Sequence, residues 1–486
     1  MSSEVRHLHP AAMSIAAIKT VRRWIGAAAI PGVAALAGGG WQMTTLILVG
    51  VLVIITGSAV WGFLSWRATT YEVSGGAFHL RQGVIQKNER TIPLEHVQSV
   101  DTVQGIIQRL FGVVEVRVET AGGGASEPDA SLSALDRGAA EALRREIEGF
   151  RREDVPEDEE EAGPVVLRRL GTRELLVAGA TSGQIGVALS LIAVVSQLFD
   201  DFFSEGFVQR LYESLAPRSV TAILAVILIV GLLAWLLAIG GTILAYAGFT
   251  LSRNGDFLYI KRGLLERREA TIPLARIQAV RIVEGVLRQP FGLAALHVES
   301  AGYGEDAGVS TTLFPLLPRK EAQKLLLDAA PEFAVTPALQ RLPARALRRY
   351  VFRATIPALL LAAAAALIYF LALDSLLGGL PALLLIPLAA AYGWLRYRAA
   401  GWAFEDDSLI TRFRRLARST AIAPRRRLQS RDVIRSPFQR RTRLATFRAR
   451  VASGGGGAAL QIADLDSGAA DALAEGLGPR PYRKEC

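Results

Sequence analysis

The chain has 486 residues, 51% of them hydrophobic, and its mean hydropathy of +0.30 excludes a typical soluble protein of this length. Its formal net charge of +10 comes mainly from arginines that are concentrated late in the chain, and its single cysteine, Cys486, excludes an intrachain disulfide. The length is sufficient for three or four domains.

The N-terminal part of the chain predicts a hairpin of membrane helices. An apolar run from about Trp24 to Ala37 is followed by three glycines and by a second run from about Met43 to Leu64. The second run is long enough to cross the hydrocarbon core of a bilayer. A cleaved signal peptide is the alternative interpretation of the first run.

The sequence after this hairpin alternates as half-buried strands do, and it ends in an amphipathic helix. Apolar residues four apart (Leu135, Ala139, Leu143 and Ile147) predict the helix, Ala134–Phe150. We therefore expect a small antiparallel barrel or sandwich that is closed by one helix. The strands are predicted at Tyr71–Val73, Ala77–Arg81, Val84–Gln86, Thr91–Leu94 and Val113–Thr120.

Two more hairpins are predicted further along the chain. An acidic linker, Glu153–Glu161, precedes the second hairpin, and its run of like charges predicts a solvated segment. The segment 200–218 mixes phenylalanines with acids and predicts an interfacial helix. The apolar runs are about Leu175–Phe199 and Val220–Ala247 for the second hairpin, and about Ile356–Leu373 and Leu380–Leu395 for the third.

Each hairpin is followed by a copy of the same module. Residues 91–122 and 271–302 align without a gap and are identical at 14 of 32 positions, and a weaker third copy runs from Ala423 to Thr446. The fold prediction is six transmembrane helices in three hairpins plus three PH-like antiparallel β-barrel or sandwich modules, each closed by a C-terminal helix. The predicted boundaries are an N-terminal segment 1–23, hairpin 24–65, module 66–151, linker 152–173, hairpin 174–248, module 249–331, linker 332–353, hairpin 354–395, module 396–478 and tail 479–486.

The repeated residues are interpreted mainly as structural, because a signature that recurs three times in one chain is what a fold requires. A proline can edge a strand, a glutamine can satisfy turn backbone groups, and each Phe-Gly pair is interpreted as a core aromatic followed by a turn glycine. Ligand contact is the alternative. These residues are Pro93, Gln98, Phe111, Gly112, Pro273, Gln278, Phe291, Gly292, Pro424 and Gln429.

The sequence contains no catalytic motif and no cluster of metal ligands, so we expect neither an enzyme nor a cofactor. The third module is unusually basic, and a bilayer with an anionic surface would attract such a module. A generally basic cytoplasmic surface is the alternative. Nucleic acid is the weaker candidate, because the patch lacks interleaved aromatic residues. The residues chosen as an anionic-surface or partner site are Arg425, Arg426, Arg427, Arg440 and Arg441.

The orientation of the modules follows from the basic residues that flank the apolar runs. Arginines lie on the module side of each hairpin, and the opposite loops carry almost none. The distribution predicts that all three modules face the cytoplasm of a bacterial inner membrane.

The repeat resembles a known family. Membrane hairpins that are followed by Ile-Pro-Leu-x-x-Val/Ile-Gln-x-Val and by Arg-x-Phe-Gly-like segments resemble the bacterial pleckstrin-homology-like membrane proteins of the YdbS/YdbT type, in their longer three-module form. The resemblance implies PH-like modules, no established activity, a smaller two-span partner protein, and a loose link to envelope stress and antimicrobial-peptide resistance.

The leading hypothesis is a non-enzymatic membrane protein whose cytoplasmic modules bind lipid headgroups or a protein partner. The alternative is a component of a transporter that exports a toxic peptide or lipid. A transporter usually keeps charged residues or broken helices at the membrane midplane, and the apolar runs of this sequence carry almost no ionisable residues.

Overall fold

A computed structural model of the chain describes residues 5–21, 41–120, 129–150, 164–182, 190, 220–300, 312–336, 338–373, 377–452 and 458–477. The described strands form four sheets in which every pairing is antiparallel. The chain divides into two compact units. The first comprises 1–169, 244–275 and 302–309, and the second comprises 170–243, 276–301 and 310–486.

The first unit contains a four-stranded sheet and a seven-stranded sheet. The small sheet has the order β1-β2-β3-β4, and the large one has the order β7-β6-β5-β11-β10-β9-β8. Its strands are β1 Arg6–His7, β2 Thr70–Ser74, β3 Ala77–Gln82, β4 Asn88–Pro93, β5 Val97–Gln104, β6 Val113–Thr120, β7 Ala130–Asp136, β8 Val165–Arg169, β9 Thr250–Asn254, β10 Phe257–Arg262 and β11 Arg267–Pro273.

The second unit has a seven-stranded and a three-stranded sheet. Their orders are β14-β13-β12-β18-β17-β16-β15 and β19-β20-β21. The strands are β12 Ile277–Glu284, β13 Leu293–Ser300, β14 Thr312–Pro318, β15 Gln340–Arg341, β16 Gly401–Glu405, β17 Ser408–Arg414, β18 Arg418–Pro424, β19 Leu428–Ile434, β20 Leu444–Val451 and β21 Ala458–Asp466.

Among the described residues, three α-helices are long and apolar enough to cross a membrane. Their candidate spans are Leu48–Ala68, Leu228–Tyr246 and Arg345–Ile368. The helices are α1 Ala11–Val21, α2 Trp41–Ala68, α3 Ile106–Leu110, α4 Arg137–Phe150, α5 Thr172–Ala180, α6 Val220–Tyr246, α7 Arg319–Ala329, α8 Arg345–Leu373, α9 Leu385–Ala399, α10 Pro437–Arg441 and α11 Ser467–Gly476.

The modules are predicted as barrels or sandwiches, and the described strands form sheets that neighbouring modules share rather than closed barrels. In the first unit, β5 of the first module pairs with β11 of the second. In the second unit, β12 of the second module pairs with β18 of the third. Backbone N–H and C=O groups at a strand edge need partners, and at these two edges the partner strand comes from the next module.

Each module also takes its first strand from the sequence before its long apolar helix. The short strands β1, β8 and β15 pair with β2, β9 and β16, and the apolar helices lie in the sequence between the two members of each pair. The segments predicted as the cytoplasmic N-terminus (1–23) and as linkers (152–173 and 332–353) therefore contribute strands to the modules. Such strands are too short to show a period of two, so the sequence pattern misses them.

The two described cores are built from these shared elements. In the first unit, α1 contributes Ala11, Ala12 and Ile15 to a core with Phe78, Leu132 and the helix residue Leu143, all of which are buried. In the second unit, the corresponding cluster joins β16–β21 to the first turns of α8 and to α11. It includes Ala346, Trp402, Phe447, Leu460 and Leu473.

The repeated motif forms the corner at which the chain leaves one sheet and enters the next. Pro93, Pro273 and Pro424 end their strands, and each is followed by a three-residue 3-10 turn. The first residue of each turn donates its backbone N–H to the tip of the preceding hairpin, as Leu94 does to the Gly76 carbonyl at 2.9 Å. This bond recurs from Leu274 and from Arg425.

The repeated glutamines lie at β-bulges. The pairing register shifts at Gln98, Gln278 and Gln429, which are the second residues of β5, β12 and β19. A bulge sharpens the local twist of a strand, and strand five of each module needs this bend directly after the corner. Gln278 also donates its side-chain N–H to the Arg276 carbonyl at 3.1 Å, as expected of a glutamine that satisfies a turn.

Several local predictions need correction. Val84–Gln86, predicted as a strand, is a bend, and Ile85 is 86% exposed. The helix predicted from Ala134 begins at Arg137, because the three preceding residues complete β7. Phe111 and Phe291, predicted as core residues, are exposed.

Other predictions fall partly or wholly outside the described residues. The first apolar run (24–37), the acidic linker (153–161) and the segment 200–218 lie outside them, as does most of the run 175–199. The run predicted as 380–395 begins in a 3-10 helix, Leu377–Leu384, and continues as α9.

One backbone position distinguishes the third module from the other two. Gly112, which follows α3, and Gly292, at the end of the turn 285–292, have positive φ angles of 70° and 63°, and Arg443 occupies the equivalent position after α10 with φ 52°. A side chain in this left-handed region costs about 1–2 kcal/mol because its Cβ approaches the following carbonyl oxygen.

We predict that Arg443→Gly raises the free energy of unfolding by about 1 kcal/mol and that Gly292→Ala lowers it by a similar amount. A Cβ at Gly292 would meet no atom within 4 Å, so the second change reports backbone conformation alone. Denaturant unfolding in detergent micelles measures both. Equal stability of all three proteins would contradict the assignment of strain to Arg443.

An acidic cluster in the first unit predicts a pH-dependent stability. Burial, with added repulsion from Asp101 and Asp129, raises the pKa of Glu119 to about 7, from 4.5. The unfolded chain therefore loses this proton at a lower pH than the folded chain does. The free energy of unfolding falls as the pH rises from about 4.5 to 7, and the whole loss of stability is present above pH 7.

We expect Glu119→Gln to stabilise the protein by about 1–2 kcal/mol at pH 8 and by much less at pH 5, after allowance for the partial exposure of the side chain. Unfolding titrations at the two pH values measure the difference. Glu95→Gln, at an exposed position in the same unit, is the control and should change neither value. The same gain at both pH values would contradict the pKa shift.

Candidate membrane-facing surface

Each module exposes apolar residues in the turn between its third and fourth strands. Ile85 in the first module, Leu264 and Leu265 in the second, and Leu416 in the third lie in this turn, and Leu416 is 71% exposed. The turn is short and tight, so these side chains cannot fold back into the module core. Exposed apolar residues that recur at one place in three modules indicate a surface that contacts an apolar phase or partner.

In the second module this turn adjoins the end of a candidate membrane span. The backbone N–H groups of Gly263 and Leu264 donate to the carbonyls of Ala247 and Leu244, each at 2.9 Å. Arg262 is buried beside Tyr246 of α6, with its guanidinium carbon 4.9 Å from the ring centroid, and this burial lowers its pKa. Hydrogen bonds and packing therefore hold the exposed leucines beside the helix end.

The turn of the third module is held in a similar way by α9. Tyr392 donates its hydroxyl to the Arg415 carbonyl at 3.0 Å, and Arg396 donates its Nε–H to the Arg414 carbonyl at 3.1 Å. Arg396 lies in the last turn of α9, and Tyr392 lies one turn before it on the same helix. Aromatic and basic side chains of this kind anchor helices at the membrane interface. Leu416 therefore extends from a turn that is tied to α9.

A second exposed apolar group follows strand five of each module. It lies on α3 in the first module, on the turn residues 285–292 in the second, and on α10 in the third. Phe291 is 73% exposed and Phe438 is 68% exposed. The other exposed apolar residues of this group are Ile106, Leu110, Phe111, Val286 and Leu287.

Basic residues hold these segments or lie directly beside them. Arg109 of α3 donates to the Leu264 carbonyl at 2.8 Å, which ties the segment of the first module to the turn of the second. Arg288 donates to Thr181 Oγ1, to the Pro315 carbonyl and to the Ala178 carbonyl at 3.0–3.3 Å, and so binds the C-terminal end of α5. A cation is favoured at a helix C-terminus.

Two of the five arginines chosen from the sequence belong to this surface. Arg440 and Arg441 end α10, both are exposed, and they follow Phe438 on the same short helix. The helix begins with a capping box in which Ser436 and Gln439 exchange side-chain-to-backbone hydrogen bonds. We call Leu416, in the turn held by α9, and Phe438, Arg440 and Arg441, on α10, the third-module rim.

The other three arginines lie elsewhere and have acidic neighbours. Arg425–Arg427 form the 3-10 turn at the far end of β18 from Leu416, a separation of about 20 Å along the strand. Arg426 donates to Glu332 at 2.7 Å, Arg427 lies 3.7 Å from the same carboxylate, and Arg425 lies 3.8 Å from Asp407. The structure therefore divides the predicted basic site into two groups.

A buried carboxylate links the third module to the first turns of α8. Asp464 is fully buried with a positive φ of 56°, and it accepts hydrogen bonds from Arg349, Arg353 and Gln439. Arg349 contributes through Nε at 2.9 Å. Gln439 also donates to Thr446 at 2.8 Å, so the same network fixes the position of α10, which carries Phe438, Arg440 and Arg441.

We predict that Asp464→Asn lowers the free energy of unfolding by about 3–5 kcal/mol, because the change leaves two arginines of a partly buried network without their counter-ion. Asparagine tolerates the left-handed backbone of this position, so the loss reports charge rather than conformation. Denaturant unfolding in detergent micelles measures the effect.

The matched control is Asp471→Asn, which removes the half-exposed ion pair between Asp471 and Arg435. We expect this change to cost about 1 kcal/mol or less. Equal losses from Asp464→Asn and Asp471→Asn would show that Asp464 does not anchor α8 to the module.

Sequence patterns miss the acidic residues of both networks in the second unit. Glu284 is fully buried and pairs with Arg418 and Arg319, and Asp464 pairs with α8 residues more than 100 positions away. A single acidic residue in a strand gives no periodic signal. The one weak signal in the sequence is an acidic residue within an arginine-rich segment. Among the described residues, no three His, Cys, Asp or Glu side chains are grouped as a metal site would require.

Comparison with known proteins connects these features to a family. The family model described as the bacterial PH domain matches the chain three times, over residues 9–151, 206–330 and 352–480. The first match includes the sequence between β1 and β2, as expected if the membrane segment is part of the repeating unit. The three matches together cover most of the chain.

A curated protein is similar over nearly the same extent. The UPF0699 transmembrane protein YdbT of Bacillus subtilis (strain 168) is 34% identical over 424 residues, which are 84% of this chain and 84% of that protein. No solved structure matches the chain.

Proposed function

Because the chain belongs to the bacterial PH domain family and has apolar helices that can cross a membrane, we propose that it is a non-enzymatic membrane protein whose modules rest on the lipid headgroup layer. The observation that carries this proposal is the third-module rim, in which exposed Leu416 and Phe438 lie on segments tied to α8 and α9. The equivalent turn of the second module, beside α6, supports the same role.

The balance of energies favours insertion of apolar side chains over charge attraction. Removal of a leucine or phenylalanine side chain from water contributes about 1.5–3 kcal/mol, whereas an arginine near an anionic surface contributes about 1 kcal/mol. Leu416 and Phe438 therefore contribute more than Arg440 and Arg441. Salt screens the second contribution and leaves the first nearly unchanged.

We further propose six membrane spans with all three modules in the cytoplasm. Strands β1 and β2 are paired neighbours, so the chain between them must cross the bilayer an even number of times, and the same holds for β8 with β9 and for β15 with β16. Arg67, Arg396 and Arg398 at the module ends of α2 and α9 fit the positive-inside distribution.

Transport through the spans has less support. The three described spans carry charged residues only at their module ends, which are Arg67 in α2 and Arg345, Arg348, Arg349 and Arg353 in α8. A role in envelope stress or antimicrobial-peptide resistance is the more natural extension of the proposal, because agents that disturb headgroup packing would change the depth at which the rim inserts.

Depth-dependent fluorescence quenching tests the proposal in the full chain. We expect an environment-sensitive dye on Leu416→Cys or Phe438→Cys, in a Cys486→Ser background, to be quenched by headgroup-proximal spin-labelled lipid in nanodiscs. The same dye on Arg426→Cys, at the far end of β18, is the control and should not be quenched. Equal quenching at all three positions, or none at any, would contradict a rim that enters the bilayer.

The basic residues are tested separately through lipid selectivity. We expect the double change Arg440→Ala and Arg441→Ala to reduce co-purification of anionic lipid about two- to fivefold, since the contribution of each residue is about 1 kcal/mol or less in salt. The triple change Arg425→Ala, Arg426→Ala and Arg427→Ala is the control, because two carboxylates, Glu332 and Asp407, already offset most of the charge of that turn. A larger loss from the triple change would move the site to the 3-10 turn.

A further inference from the structure

The two sheet junctions within the chain follow one rule. Strand five of one module pairs with strand four of the next, as β5 with β11 and β12 with β18. The register is the same in both, because Gln104 faces Arg267 and Glu284 faces Arg418, and these pairs occupy equivalent positions in the repeat. At the second junction this pair is also a buried ion pair.

Among three modules with two such junctions, one strand four and one strand five have no partner strand from another module. Among the described residues, strand four of the first module, β4, is the end strand of its sheet, and strand five of the third module, β19, is the end strand of another. Within the part of the chain that the structure describes, no strand pairs with the outer edge of β4 or of β19. Unpaired backbone groups on such an edge are a template for another strand.

Burial distinguishes the leftover strands from their covered equivalents. Thr91 of β4 is exposed, whereas the equivalent Thr271 and Ile422 are buried. In β19, Arg431 is partly exposed, whereas the equivalent Val100 and Val280 are buried. The strands exist in all three modules, and the edge is covered wherever the chain supplies a neighbour.

We propose that β19 of one copy of this chain pairs with β4 of a second copy, in the register of the two internal junctions. The chain itself carries both halves of the junction, which is the reason for choosing a second copy as the partner. Transfer of the register places Asp432 opposite Arg90 and Val433 opposite Glu89. The two diagonal neighbours of Glu89 are then Arg431 and Arg435. This arrangement brings opposite charges together at short cross-strand distances.

One cross-strand position does not fit as well. Arg435 would face Lys87, but Arg435 already pairs with Asp471 of its own module. Arg90 also donates to the Asp129 carbonyl, and a guanidinium retains further N–H donors for Asp432. The contact is head-to-tail, so repetition closes into a ring or extends as a row in the plane of the membrane.

Intermolecular crosslinking of the full chain in membranes tests the proposal. Two differently tagged copies are co-expressed in a Cys486→Ser background, one with Arg90→Cys and the other with Asp432→Cys, and a short bifunctional thiol reagent is added. We expect a product that carries both tags. Arg426→Cys in place of Asp432→Cys is the matched control and should give at least tenfold less product.

Charge exchange separates the specific contact from chance collision. Asp432→Arg in both tagged copies places two arginines opposite each other and is expected to reduce co-purification about three- to tenfold. The added change Arg90→Asp restores a pair of opposite charges and is expected to restore co-purification. Restoration also shows that the loss is not a folding defect.

Two results would overturn the proposal. One is a crosslinking yield at Asp432 that equals the yield at Arg426. The other is a product formed only with a smaller membrane protein, which would assign the open edges to a different partner. Neither result bears on the seating of the rim, because that contact is measured by lipid quenching at Leu416 and Phe438.

Discussion

The structure depends on the pairing of strand edges between neighbouring modules. Each module contributes strands to two sheets, and at the two internal junctions strand five of one module pairs with strand four of the next. Within each unit, strands of adjacent modules are therefore linked by backbone hydrogen bonds. A substitution at one junction affects two modules, as the pairing of Glu284 in the second module with Arg418 in the third illustrates.

Membrane attachment is built into the same repeating unit. The apolar helices are inserted between the first and second strands of each module, and Asp464 fixes the beginning of α8 to the third module through Arg349 and Arg353. The third-module rim then lies beside the helices because Gln439 and Tyr392 hold its two segments there. A soluble module connected by a long linker would gain little from an exposed leucine, whereas a module fixed at the bilayer can insert it.

The sequence allowed the repeat, the apolar helices and the family resemblance to be predicted, because these leave regular marks such as the proline and glutamine of each corner. It did not allow the sharing of sheets to be predicted, since a strand that pairs with the next module has the same alternation as one that pairs within its own. Strands as short as β1 and β15 have no detectable period. Within the basic patch, Arg425–Arg427 differ from Arg440 and Arg441 because Glu332 and Asp407 lie beside them. The sequence does not predict these ion pairs, which form only in the folded chain.

The placement of the apolar helices also determines the order in which the paired strands are made. Arg6 pairs with Tyr71, Val165 with Arg253, and Gln340 with Trp402, so the first strand of each module leaves the ribosome about 60 to 90 residues before its neighbour. The first strand of each module therefore waits for its partner until the intervening apolar segment has been synthesised, because the two ends of that segment are the paired strands. A nascent chain stalled within the apolar segment would retain a short strand without its neighbour.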